Sequence, residues 1–252
     1  MLPDDTDRRQ DPQLDRHLDG ARESTRRLMA SLHSLTDAEA RRPSLLPGWT
    51  NGHVLTHLAR NADGIASILD GALHGTILPM YPGGDTARNQ AIQDGAGRRA
   101  AALVADLNEA AGRLDDAWSR MHAAAWQRVV VPRLGEVPAW QLLPARRREV
   151  EIHRVDLNLP PDRDYRPDTW PAEFVADLVS HLVETGLGRR MPTDLTLDLV
   201  ATDTGARWTV GSGQRRAEVS GPAWALGCWL AGRTARVGEA LAGDPPDLGP
   251  WR

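Results

Sequence analysis

The sequence predicts an α+β chain, with an N-terminal four-helix bundle followed by a smaller C-terminal α/β domain. Three observations carry this expectation. Four stretches with apolar residues at helical spacing fill about the first 150 residues, enough for a bundle. A proline-rich break, "NLPPDRDYRP" at residues 158–167, then interrupts the pattern. Beyond it, one helical stretch is followed by alternating apolar and polar residues around an Asp-Thr-Gly turn. The bundle is expected over residues 12–160 and the α/β domain over 165–252, after a disordered tail at 1–11.

Each element has its own justification. Leu14, Leu18, Ala21, Leu28 and Leu32 share one helix face, which predicts a first helix from about residue 12 to about 34. "RRPSLLPGWT" breaks it with two prolines and a glycine. A second helix starts near Thr50, a good N-cap, and carries Val54, Leu55, Leu58, Ile65, Ile68 and Leu69. "HGTILPMYPGG" reads as a loop. Leu103, Leu107, Ala110, Leu114 and Trp118 predict one long third helix over residues 86–122. "RVVVPRLGEVPAW" is extended, a short strand or hairpin, and a fourth helix runs from Pro144 to Leu157. In the second part, "PAEFVADLVSHLVETGL" is helical, "DLTLDLVATDTGARWTVG" and "QRRAEVSG" are strands, and "PAWALGCWLAGR" is a final buried helix. Three short strands permit several orders, which the pattern leaves open.

Composition excludes several function classes. The chain has 252 residues, a net charge of −4 and 41% hydrophobic residues, with pI near 6.1. No basic excess points to nucleic acid or an anionic membrane. No apolar run approaches the roughly 20 residues of a bilayer span. The first residues lack the apolar segment of a signal peptide, so a cytoplasmic location is expected. Cys228 is the single cysteine and sits in an apolar stretch, where a buried inert thiol is expected. Every basic residue other than histidine is arginine, the side chain suited to carboxylates.

Two pairs of residues point to chemistry. His53 and His57 are four apart on the second helix, and Glu149 and His153 four apart on the fourth, so each pair shares a helix face. One histidine of the second helix joining Glu149 and His153 would make two imidazoles and a carboxylate, a catalytic zinc set with an open position. Spacing leaves open which histidine that is, and iron, nickel or manganese accept similar ligands. Asp156, three residues after His153, reads equally as an acceptor for a ligand's second ring N–H or as a solvated carboxylate.

The string "LLPGWTNGHVLTHLARNAD", followed by "LPMY", "ARNQ", "RREVEIHRVDL" and "LAGR", resembles the mycothiol-dependent maleylpyruvate isomerases of the DinB-like metalloenzyme superfamily. The resemblance implies a DinB-like bundle with His57, Glu149 and His153 as ligands of a divalent ion, zinc. His53 is then a packing residue or a donor behind the ligands. It implies that Arg233 acts in catalysis or substrate binding, where position alone would make it a helix C-cap. Arg88 and Asn89 match another family string and are expected in the pocket. The run Arg146, Arg147 and Arg148 reads as a solvated face, with Arg148, beside Glu149, the candidate to meet an anionic thiol cofactor.

What the resemblance implies chemically is mycothiol-dependent isomerisation of maleylpyruvate to fumarylpyruvate, in the gentisate route of aromatic breakdown. The partners expected are a small-molecule substrate and a low-molecular-weight thiol, with Arg233 and the metal ligands meeting between domains. A mycothiol or bacillithiol S-transferase uses the same activated thiol, and a binding or regulatory protein could keep the fold without the chemistry.

Overall fold

The computed structural model describes residues 11–133 and 135–248, apart from the side chain of residue 186. All of the expected tail lies outside these residues except Asp11. That residue caps the first helix, accepting from the N–H groups of Gln13 and Leu14.

The chain divides after Asp164 into two compact units. The first holds α1 (Pro12–Ser31), α2 (Asp37–Arg41), α3 (Asn51–His74), α4 (Gly84–Ala96), α5 (Ala100–Arg120), α6 (Ala123–Trp126) and α7 (Leu142–Asp156). The long helices α1, α3, α5 and α7 form the bundle around a core that includes Leu28, Leu55, Leu58, Ile65, Leu107 and Leu143. Burial of these aliphatic faces is the main force that pairs the helices.

The single helix expected over 86–122 is instead two, α4 and α5, broken after Ala96. Glycines at 95 and 97 weaken the helix there, and Asp37 of α2 accepts the Ala100 N–H at 2.7 Å, capping the new start. The expected extended stretch is the antiparallel pair β1 (Val129–Val130) and β2 (Val137–Pro138).

In the second unit, α8 (Ala172–Leu182) continues through a π-turn at Val183–Leu187 into the short α9 (Gly188–Arg190). The sheet holds β3 (Leu195–Ala201), β4 (Arg207–Val210), β5 (Arg215–Gly221) and β6 (Ala242–Gly243) in the order β4-β3-β5-β6. β3 and β4 form the hairpin around Asp-Thr-Gly, while β5 lies parallel to β3 on its other side. The return at Gly213 passes so close to Asp194 that a side chain would strike its carbonyl. α10 (Ala223–Leu230) is buried and packs on α8 and the sheet.

Candidate metal centre

The site is built where α7 crosses α3, and the two helices are tied together above and below it. Asn158, just past α7, donates its N–H to Asn51 Oδ1 at 3.0 Å at the start of α3. Near the other end of α7, Arg146 donates from one guanidinium nitrogen to Leu58 O at 2.9 Å and to Asn61 Oδ1 at 2.7 Å. Between these ties His57 of α3 faces Glu149 and His153 of α7.

His57 Nε2 lies 2.9 Å from Glu149 Oε2 and 3.0 Å from His153 Nε2. The third side, His153 Nε2 to Glu149 Oε2, is 3.4 Å. Four ligands at bond lengths of about 2.0–2.2 Å stand about 3.3–3.5 Å apart in a tetrahedron. The triangle is slightly smaller than one such face, so the three side chains fit a divalent ion without rearrangement of their helices. Both imidazoles are buried, at 4% and 8% exposure, and their rings meet edge to face. Glu149 keeps 26% of its side chain exposed, which leaves the site an open side.

Environment sets the protonation of each group. Burial pushes His57 down to about 4, with the charges of His153 and Arg88 adding to it and the Glu149 hydrogen bond opposing, so its ring is neutral at neutral pH. For Glu149 burial acts upward, but hydrogen bonds from both histidines outweigh it and hold the carboxylate well below its ordinary range. Burial also disfavours charge on His153; hydrogen bonds to Asp156 and Glu149 overcome it and raise its pKa. Asp156 is fully buried and sits 2.8 Å from His153 Nδ1. That bond keeps a proton on Nδ1 and leaves Nε2 facing Glu149 and His57.

His53 is engaged elsewhere. It closes the capping box of α3, accepting the Thr50 N–H on Nδ1 at 3.1 Å. Trp49 stacks on His53 and meets His57 edge-on. Arg88 of α4 donates to His57 Nδ1 at 2.9 Å and to Asn89 Oδ1 at 2.9 Å, so the structure brings Arg88 to the triad while Asn89 stays exposed beside it. A guanidinium only donates, so here the His57 proton sits on Nε2, shared with Glu149 and His153.

The arginine run is not the solvated face that its charge suggested. Arg146 is completely buried and Arg148 is 8% exposed, leaving only Arg147 partly open. The reason is geometric: α7 is packed on both α1 and α3, so most of its circumference is interior. Asn61 has no role in the sequence reading, and Arg146 has only that of a solvated residue. Spacing held a signal, since Asn61 follows His57 by four and Arg146 precedes Glu149 by three, which puts them on the ligand faces.

Arg233 belongs to the second unit. It follows α10 and Gly232, whose φ of 76° ends the helix, and its guanidinium donates to Ala231 O at 2.6 Å. Cys228 is buried and its Sγ–H points to Arg233 O at 3.4 Å.

Fold and triad together define a two-unit α+β protein whose helix bundle gathers a His/Glu/His cluster able to hold a metal ion. Residues 21–158 match the family model of the mycothiol maleylpyruvate isomerase N-terminal domain. The chain belongs to that family. A crystal structure of the mycothiol-dependent maleylpyruvate isomerase matches it with a TM-score of 0.85 and 28% identity, over 94% of this chain and 97% of that one. A point mutant of that enzyme matches equally well. No curated protein matches the sequence.

Proposed function

We propose that this chain catalyses the mycothiol-dependent cis–trans isomerisation of maleylpyruvate to fumarylpyruvate, as a cytoplasmic enzyme of the gentisate route. His57, Glu149 and His153 would hold a divalent ion, zinc. The observation that carries the reading is the convergence of those three ligand atoms within 4.8 Å, in a fold shared along most of its length with a solved isomerase of that name. When bound, the ion keeps a coordinated thiol deprotonated at neutral pH, and so supplies the nucleophile that adds reversibly to the substrate's C=C.

The chain's own groups prepare this chemistry. Burial keeps His57 uncharged, as a ligand must be, and Asp156 holds His153 in the tautomer that presents Nε2. Glu149 offsets part of the ion's charge while staying ionised. Cys228 is buried, so an external thiol has to serve. The substrate is a dianion, and Arg88, which bonds Asn89 and stands beside the triad, would receive a carboxylate. Roles for Arg148 toward the thiol and for Arg233 toward substrate rest on the family resemblance.

The test is turnover of maleylpyruvate by metal-analysed protein, with and without mycothiol, identifying the product and counting free thiol. Fumarylpyruvate formed with thiol conserved supports the isomerase. Stoichiometric thiol loss would make the enzyme a transferase instead, and no reaction by metal-loaded protein would reject this substrate.

A further inference from the structure

A guanidinium deep in the bundle is the least expected group near the triad. Arg146 is completely buried, and burial lowers its pKa only to about 10, against the charge of Glu149, so it stays a cation at neutral pH. Among the described residues its Nε and Nη2 find no hydrogen-bond partner, which costs stability. Arg146 precedes Glu149 by three on α7, so its charge also counts against any cation held there. Its favourable contribution is one contact. Nη1 donates to Leu58 O at 2.9 Å and to Asn61 Oδ1 at 2.7 Å, and both acceptors belong to α3. The helix itself does not need the bond to Leu58 O, because Leu58 lies mid-helix, where its carbonyl already accepts the N–H four residues on.

The place of that contact gives it a consequence. Leu58 adjoins His57, and Asn61 follows His57 by one turn, while Arg146 stands one turn before Glu149. Two sides of the ligand triangle run between the helices, His57 to Glu149 at 2.9 Å and His57 to His153 at 3.0 Å. Their lengths follow from how far α3 stands from α7 at this turn, and a binding site tolerates misplacement of only about 0.5 Å. The other tie, between Asn158 and Asn51, is farther off: Asn51 precedes His57 by six residues and Asn158 follows His153 by five.

We infer that Arg146 is a positioning residue of the metal centre: its bonds to Leu58 and Asn61 fix α3 against α7 beside the ligands, and so set the affinity of the triad for a divalent ion. The inference rests on the reading that His57, Glu149 and His153 hold such an ion, and it does not depend on the substrate. The sign of the effect separates position from charge. Acting by charge alone, Arg146 would weaken the binding of a cation, and its removal would tighten it. Acting by position it strengthens binding, and its removal weakens it.

The test measures zinc affinity by chelator competition in the full-length protein, together with thermal unfolding of the metal-free form. In Arg146→Met/Asn61→Leu both partners become apolar, so neither side chain leaves the other buried and unpaired. The metal-free double variant should melt at or above the wild-type temperature. Its zinc Kd should nevertheless rise about tenfold, the low end for groups that support metal ligands. Arg146→Lys, which keeps the charge and part of the reach, should fall between the two. Asn51→Ala breaks the remote tie, and should lower the melting temperature while leaving the Kd close to that of wild type. Cobalt(II) in place of zinc adds a readout of geometry: its visible band should change in the double variant and not in Asn51→Ala. A Kd in the double variant within about twofold of wild type, or a tighter one, overturns the role. An equal loss of affinity in Asn51→Ala would make the effect a general loosening of the bundle, and would overturn it too. Should the double variant fold poorly, Asn61→Ala removes one of the two acceptors of Nη1, and an unchanged Kd there overturns the role. A wild type that takes up no zinc, iron, nickel or manganese overturns the metal reading itself, and the role with it.

Discussion

His53 and His57 sit one turn apart on α3 and hold different partners, because the helix begins at Thr50. His53 is close enough to that start to close the capping box, while His57 is a turn deeper, facing α7. His57→Ala should therefore lose the bound metal with the helices intact. His53→Ala should retain it and cost about 1 kcal/mol of stability, the usual worth of a cap. Metal analysis and thermal unfolding of the two variants separate these outcomes. Arg88 adds a second expectation. Its bond to His57 Nδ1 requires the proton on Nε2, whereas a metal on Nε2 requires it on Nδ1. Arg88 also brings positive charge to the place a cation would occupy. Arg88→Ala should thus tighten zinc binding by about tenfold, the equivalent of one lost hydrogen bond, while raising the KM for a carboxylate substrate. Chelator competition measures the first and steady-state kinetics the second.

At the scale of elements, the site depends on how α2 and the segment after α7 brace the start of α3. Glu39 of α2 accepts from Thr36 and is paired with Arg163, and Asn51 donates to Glu39 O at 3.0 Å. Burial works to raise the Glu39 pKa, but the Thr36 bonds and the Arg163 charge outweigh it, and the net shift is downward. A carboxyl with a lowered folded pKa stabilises the fold above its unfolded value of about 4.3 and loses that contribution as pH falls through the folded value. The stability gap between wild type and Glu39→Gln should therefore be full at neutral pH and shrink below about pH 4.3, as denaturant melts across that range would record. The other elements show how much a linear pattern conveys. The starts of α1 and α3, the hairpin of β3 and β4, and the buried α10 were readable from caps, period and turn residues. The break between α4 and α5 was not, since the apolar spacing of α5 extends smoothly upstream and the cap at Asp37 comes from 63 residues away.

For the whole molecule, the three ligand-bearing side chains belong to the unit that ends at Asp164, and Arg233 belongs to the other. A chain of residues 1–164 should bind one metal ion with wild-type stoichiometry. The full-length Arg233→Ala variant should also bind it, yet turn over maleylpyruvate at least about tenfold more slowly if Arg233 serves the substrate. Unchanged turnover by that variant at full metal content would remove Arg233 from the reaction.

The sequence by itself determined the class of fold, the two-part plan and the residue types of the site, because helix periodicity and i, i+4 spacing are local properties of the chain. It carried the pairing of Glu149 with His153 for the same reason. Spacing left open which histidine meets that pair; the family resemblance pointed to His57, and packing brings His57 there. Only the tertiary structure decided that β5 runs parallel to β3, and that Arg146 is buried while joining Asn61 to the site. Each depends on which helix or strand packs against which. Local spacing says which residues share a face, and only the packed neighbours decide what that face meets.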